Sequence, residues 1–229
     1  MSSGTVLITG SSKGIGKALA IKFAAHGYNI ILHGRDEKKL CEVKRHILKN
    51  NVNCYVVIGD ISEDDTIDNL TACAEKNGID ILINNAGMYL KKSVEEIQPD
   101  EFRKVIEVNL IAPVLLTKRI FKLYKKKGSG LIVNINSVAG KGFSENEGAY
   151  CASKHGLKGL MGCFKFEALK SNVSVIDIFL GATNTDITAL RKDQNKLIKP
   201  EEVADFIYSI SQNYSSMRIS EIDILRKIY

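Results

Sequence analysis

Apolar runs and helix-period patterns alternate along the whole chain. Residues 6–8 form a short, uniformly apolar run of the kind found in strands buried on both faces. Residues 15–26 then follow helical period, with Gly27 as a stop. Residues 28–33 read as a second strand, and Asp36 is placed to cap a helix over 37–49. Further strand-like runs occupy 54–58, 79–83, 131–135, 173–179 and 222–225. The intervening patterns predict helices over about 62–76, 99–127, 148–170 and 200–212. Ser62-x-x-Asp65 resembles a capping box for the first of these. Pro99 and Pro200 suit first helical turns, whereas Pro113 lies inside the second pattern and predicts a bend or a local break. In the helix over 148–170, Leu157, Leu160, Met161 and Phe164 keep core spacing, and Phe166 falls off that stripe. Apolar strands separated by helices predict an α/β fold: a three-layer, doubly wound Rossmann fold with a mainly parallel, seven-stranded sheet. No repeat, linker or low-complexity segment divides the chain, so residues 1–229 read as one domain.

Composition narrows the class. A hydrophobic content of 45% over 229 residues is ample for one core. The net charge of +6 is scattered over sites such as 91–92, 125–127 and 226–227, a pattern of solvated lysines and not a nucleic-acid stripe. The five cysteines form no C-x-x-C pair and read as reduced thiols of a cytosolic protein, not as a metal site or disulfide frame. No basic and apolar leader precedes the first strand, and no apolar run approaches about 18 residues. The expectation is a cytoplasmic protein with a small-molecule substrate and neither a membrane nor a nucleic-acid partner.

Three strings carry chemistry. T-G-S-S-K-G-I-G at residues 9–16 follows a strand and opens a helix, the context of a phosphate-binding turn. Gly10 permits the tight turn, Gly14 lets backbone N–H groups approach a pyrophosphate, and Gly16 allows close helix–strand packing. The second strand ends in Gly34-Arg35 where NAD-specific folds place an acid, so Arg35 and Lys13 can bind a ribose 2′-phosphate. The alternative is that the two residues are ordinary surface cations, and Asp36 is an acid close by. NADP(H) is the preferred cofactor, with NAD(H) possible. Asp60 closes the third strand and can meet an adenine amino group or cap the next turn. N-N-A-G at 84–87 closes the fourth strand with small residues against which a cofactor can lie. Y-C-A-S-K at 150–154 sets Tyr150 and Lys154 one helical turn apart. An ammonium there lowers the pKa of a phenol, ordinarily about 10, toward use in acid–base chemistry. Ser137, at the end of the fifth strand, can hold a substrate oxygen, and Asn109, inside the long helix, can anchor a water.

Together with Val108-Asn109 and the N-S-V-A of 136–139, these motifs stand in the order of the short-chain dehydrogenase/reductase family. The chain resembles the shorter, single-domain members of that family from Thr5 to about Thr185. The resemblance implies a catalytic tetrad of Asn109, Ser137, Tyr150 and Lys154. Tyr150 would donate the proton in carbonyl reduction, Lys154 would lower its pKa and bind the nicotinamide ribose, and Ser137 would orient the carbonyl. It also implies cofactor contacts at Gly10, Ser12, Lys13, Gly14, Ile15, Gly16, Arg35, Asp60, Ile61, Asn85, Ala86, Gly87, Tyr150, Lys154, Gly181, Thr183 and Thr185. A homodimer or homotetramer built on the helices around Asn109 and Tyr150 is a further implication.

The chain departs from the family pattern in three places. Leu180-Gly181 replaces the family's Pro-Gly, the segment from Thr185 to Pro200 is short for a substrate lid, and the chain ends soon after the last strand. These imply an open pocket walled by Met88, Tyr89, Val138, residues 140–143, Ala182 and residues 186–195. They weigh against 3-oxoacyl-thioester reduction as the specific activity. Two alternatives to a carbonyl/alcohol oxidoreductase remain at this point: that thioester reductase, and a non-catalytic NADP(H)-binding regulator.

Overall fold

A computed structural model describes residues 3–188, 193–214 and 217–227. Seven strands form its sheet: β1 (Thr5–Ile8), β2 (Asn29–Gly34), β3 (Cys54–Ile58), β4 (Ile81–Asn84), β5 (Gly130–Ser137), β6 (Val173–Leu180) and β7 (Glu221–Ile224). Seven α-helices lie between them: α1 (Gly14–Ala25), α2 (Glu37–Ile47), α3 (Asp64–Asn77), α4 (Pro99–Ile106), α5 (Ala112–Lys127), α6 (Gly148–Leu169) and α7 (Pro200–Ser211). The strand order is β3-β2-β1-β4-β5-β6-β7, and every neighbouring pair is parallel. The chain direction across the sheet reverses between β1 and β4, and the crevice at such a point is where open α/β sheets bind ligands.

Alternation along β1 divides the core. Val6 and Ile8 face one side, with Leu19 and Phe23 of α1, Leu40 of α2 and Ile207 of α7. Leu7 faces the other, with Leu70 of α3, and Leu116 and Ile120 of α5. Both layers are apolar and buried, which is why these strands read as continuous apolar runs and not as alternating ones.

Local signals mostly hold. Gly27 ends α1 with φ +83°, a conformation that favours glycine. Asp36 caps α2 by accepting from the Lys39 N–H at 3.1 Å. The capping box at 62–65 does not form. The Ser62 hydroxyl instead donates to Asp60 at 2.8 Å, and α3 starts at Asp64. The helix predicted over 99–127 is interrupted as Pro113 predicts, in the form of a π-helical stretch at Glu107–Ile111 between α4 and α5. Leu157 and Met161 are buried as the spacing on α6 predicts, but Leu160 is 42% exposed at the edge of the stripe. Leu180 simply continues β6 opposite Ile224, and the Gly181 N–H donates to the Ile224 carbonyl at 2.9 Å.

Candidate active site

The glycine turn is built by interlocking two strand ends. Thr9 Oγ1 accepts from the N–H groups of Asn85 (2.9 Å) and Ala86 (3.0 Å). The Asn85 amide returns two bonds, to the carbonyls of Thr9 (2.8 Å) and Gly10 (3.0 Å). A Cβ on Gly16 would collide with the Gly10 carbonyl and approach the Asn85 amide nitrogen at 2.6 Å, so only glycine fits there. Gly10 and Gly14 take φ of +64° and +54°. Thr185, arriving from beyond β6, leans over this turn: a Cβ on Gly14 would lie 3.3 Å from its methyl group. Gly14 thus opens α1 without a side chain of its own, with Thr185 close beside it.

His33 and Ser11, to which the sequence motifs assign no role, hold the turn from the β2 side. The Gly10 N–H donates to His33 Nδ1 at 3.3 Å, and Ser11 and His33 exchange main-chain and hydroxyl bonds. Burial pulls the His33 pKa down to about 4, which keeps Nδ1 a neutral acceptor.

The structure assigns definite partners to the cations and acids expected at the cofactor. Lys13 Nζ stands 2.5 Å from Asp186, and the exposed Arg35 guanidinium 3.7 Å from Asp60. Gly34 lies against Ser12, and a Cβ there would meet Ser12 Oγ at 3.4 Å. The Asp36 carboxylate is turned away to its helix cap. Asp60 takes its capping alternative, accepting from the Ser62 N–H (3.1 Å) and hydroxyl and from Lys104 Nζ (3.2 Å). Partial burial works against its charge, but these donors outweigh it and hold its pKa down at about 2. Ile61 is buried and Ile15 packs on the core, so each has only main chain to offer a ligand. Asn85 is in the same position, its side chain being spent on the turn. Gly87 sits beside Asn109, whose Oδ1 would lie 3.3 Å from a Cβ at that position. Gly181 and Thr183 follow β6, where Thr183 Oγ1 donates to the Gly181 carbonyl at 3.2 Å. Of the pocket wall expected over 186–195, residues 189–192 lie outside the described residues.

The four tetrad positions meet at the carboxyl ends of β4 and β5. Ser137 is the last residue of β5, and Tyr150 and Lys154 lie on the first turns of α6. Burial raises the Tyr150 pKa above its ordinary value, the Ser137 hydroxyl opposes this, and the Glu147 carboxylate adds to it. Lys154 is buried, its Nζ donates to the Ile135 carbonyl at 3.1 Å, and desolvation lowers its pKa to about 8. Its Nζ lies 5.9 Å from the centre of the Tyr150 ring. The Tyr-x-x-x-Lys spacing predicts a lowered phenol pKa. In this arrangement the ammonium faces a carbonyl and burial of the phenol dominates, so the shift runs the other way.

The Asn109 side chain is committed within the protein. Its Oδ1 accepts from the Met88 N–H at 2.8 Å, and its Nδ2 donates to the Met88 carbonyl (2.8 Å) and to Ser153 Oγ (3.1 Å). The side chain is spent on fixing the β4 loop to α6 and is not free to anchor a water. Its main-chain carbonyl sits in the π-helical stretch, four residues before Pro113, which has no N–H to give it.

Two further residues adjoin Tyr150. The Tyr89 ring meets the Tyr150 ring edge-on at 5.1 Å, and the Tyr89 hydroxyl donates to Glu147 Oε1 at 2.6 Å. Tyr89 was expected as pocket wall. Glu147 was not, although its place three residues before Tyr150 at a helix start was a signal. An apolar cleft of about 460 Å³, lined among others by Val94, Phe102 and Ala149, opens beside the same helix start and includes none of the tetrad.

A doubly wound sheet with a glycine turn at its switch point defines a dinucleotide-binding class of protein. The chain belongs to the short chain dehydrogenase family, whose model matches residues 4–196. It is 28% identical over 222 residues to an uncharacterized oxidoreductase of Staphylococcus aureus, covering 95% of each chain. It is 31% identical to a fatty acyl-CoA reductase of Acinetobacter baylyi, over 88% of this chain and 70% of that one. Among solved structures, an alcohol dehydrogenase from Thermococcus sibiricus complexed with 5-hydroxy-NADP aligns with TM-score 0.91 at 26% identity, over 99% and 97% of the two chains. A metagenomic short-chain oxidoreductase in complex with NADP aligns with TM-score 0.88 at 30% identity, over 100% and 99%. The chain is therefore an oxidoreductase-family protein with NADP-bound structural neighbours. Among the described residues no helix is long and apolar enough to cross a membrane.

Proposed function

We propose that this protein is an NADP(H)-dependent oxidoreductase that interconverts a carbonyl and an alcohol, with Tyr150 as proton donor in reduction. The observation that carries the reading is the convergence of Ser137, Tyr150 and buried Lys154 at the sheet end that also bears the glycine turn. The turn fits a dinucleotide. Gly14 opens α1 without a side chain of its own, so a phosphate would reach main-chain N–H groups there, where a helix dipole favours it. Gly10, Ser12, Gly14, Ile15 and Gly16 would hold the pyrophosphate side. Ile61, Asn85, Ala86 and Gly87 would line the cofactor through main chain, and Gly181, Thr183 and Thr185 would close over it. Arg35 and Lys13 would meet a 2′-phosphate, each exchanging its present carboxylate partner for it. The missing acid at Gly34 and the turned-away Asp36 support NADP(H) over NAD(H). The relatives named as bound to NADP add support to the same choice.

The nicotinamide, when bound, supplies or accepts the hydride. The chain's own residues manage the oxygen. Ser137 donates to the carbonyl oxygen and orients it. Tyr150, whose pKa is raised by burial, keeps its proton through neutral pH and gives it to that oxygen. Lys154 holds positive charge nearby, which stabilises the tyrosinate left behind. The Asn109 main-chain carbonyl, without a Pro113 N–H, would hold a water for the return of the proton. The enzyme is a single domain, works in the cytoplasm, and assembles as a homodimer or homotetramer through α5 and α6, where Leu160, Phe166 and Leu169 are exposed.

The test is NADPH consumption over a panel of ketones, aldehydes, acyl thioesters and sugars. Turnover on at least one class is expected. A protein that binds NADPH tightly and oxidises it with none of them would be a non-catalytic NADP(H)-binding regulator. Strict preference for acyl thioesters would make it the thioester reductase.

A further inference from the structure

Tyr150 has a charged neighbour that the proton-transfer scheme does not use. Glu147 is half-buried, and Tyr89 donates to it at 2.6 Å while packing edge-on against Tyr150 at 5.1 Å. Lys92, whose main chain bridges to Glu147, and Lys141 are committed to other acids. Lys92 Nζ lies 2.6 Å from Glu101, and Lys141 Nζ lies 2.6 Å from Asp223 and 3.3 Å from Glu221. The Lys92 main chain, by contrast, runs beside Glu147, its N–H donating to the Asn146 carbonyl at 2.8 Å. The Glu147 carboxylate accepts from the Tyr89 hydroxyl and stands beside Tyr150 without a paired cation among the described residues. Glu147 also contributes to raising the Tyr150 pKa, as an unneutralised carboxylate close to a phenol would.

We propose that Glu147, held in place by Tyr89, sets the charge preference of the substrate site, admitting carbonyl compounds that bear a cationic or neutral group and disfavouring those with a carboxylate or phosphate. This rests on the reductase reading above and narrows its substrate class. A partly desolvated carboxylate acting on a charge several ångströms away is worth on the order of tenfold in selectivity per unit charge.

The experiment uses three aldehydes of one shape: benzaldehydes bearing 4-methoxycarbonyl, 4-carboxylate and 4-trimethylammonium groups. In the native protein kcat/KM with NADPH is expected to fall from cation to ester to carboxylate. The cation-to-carboxylate ratio should shrink as salt is raised, because screening weakens a charge effect but not a steric one. Glu147→Gln should compress that ratio by about a hundredfold, about tenfold for each of the two charge units, and remove its salt dependence, and Glu147→Asp should restore part of both. Equal kcat/KM for the three aldehydes in the native protein, or an unchanged ratio in Glu147→Gln, overturns the proposal while leaving the reductase reading intact. Bound NADPH that is consumed with none of these aldehydes and with no carbonyl of the wider panel would overturn both.

Discussion

The two ends of α6 each bury a lysine and treat it in opposite ways. Lys154 and Lys165 lie about three turns apart, and their exposures are 6% and 7%. Lys165 Nζ stands 2.7 Å from Asp177 and 3.6 Å from Glu221. Asp177 in turn accepts from Asn134 (2.8 Å), Asn134 accepts from Asn84 (2.9 Å), and Asn84 also donates to Thr117 (2.9 Å). This polar line crosses the sheet beneath α5 and α6. At the other end Lys154 has one hydrogen-bond acceptor, the Ile135 carbonyl, and burial leaves its pKa at about 8. The distal end pairs its lysine with a carboxylate, although burial still leaves the Asp177 pKa raised. The proximal end carries an uncompensated charge, which costs stability and leaves the ammonium available to a tyrosinate or a ribose.

Removing each lysine should therefore have opposite consequences. Lys165→Met leaves Asp177 buried without its cation and should cost about 3–5 kcal/mol in urea unfolding. Loss of less than about 1 kcal/mol would show that the pair is solvated in solution. Lys154→Met should instead stabilise the fold at pH 7. A shift from 10.5 to about 8 corresponds to about 3 kcal/mol of penalty on the charged form. The unfolded chain then binds the extra proton between those two values, so native stability rises with pH through that window relative to the variant. The gain from Lys154→Met should fade between pH 8 and 10.5, and a pH-independent gap would contradict the assignment.

The same lysine should mark the rate. If the ammonium supports the tyrosinate, kcat for reduction falls as pH rises through about 8. A reductase profile flat from pH 7 to 9.5 would break the link between the proximal lysine and the chemistry.

Arg35 and Lys13, proposed to meet the 2′-phosphate, should give the smallest effect, because like Lys165 they already have carboxylate partners. Native protein should bind NADPH at least about tenfold more tightly than NADH, and Arg35→Asp should erase that preference, a change of about 1.4 kcal/mol. Equal dissociation constants in the native protein would remove the basis for NADP(H).

Periodicity and turn chemistry made the fold legible. Strand runs such as 54–58, the stop at Gly27, the cap at Asp36 and the interruption before Pro113 all follow from short-range rules. The glycine turn and the meeting of Ser137, Tyr150 and Lys154 were readable for the same reason, since each motif keeps its chemistry within a few residues. What the sequence hid depends on partners far along the chain. Asn109 is tied to Met88 and Ser153, Thr9 to Asn85 and Ala86, and Lys165 to Asp177. No local pattern announces such pairs, so the sequence does not show that the Asn109 side chain is committed or that Lys165 faces an acid. The capping box at 62–65 failed for a related reason: Asp60, better placed, took the Ser62 hydroxyl first. The direction of the Tyr150 shift was hidden too, because a helical spacing of four gives proximity but says nothing about burial or about where the ammonium points.

The most direct test of the central claim compares native protein with Tyr150→Phe, measuring NADPH affinity and single-turnover reduction of one panel substrate side by side. The substitution removes only a hydroxyl, so the NADPH dissociation constant should stay within about threefold while reduction slows by 10²–10⁴-fold, on the order expected of a lost general acid. Near-native reduction by Tyr150→Phe would contradict the account and assign the proton to another group.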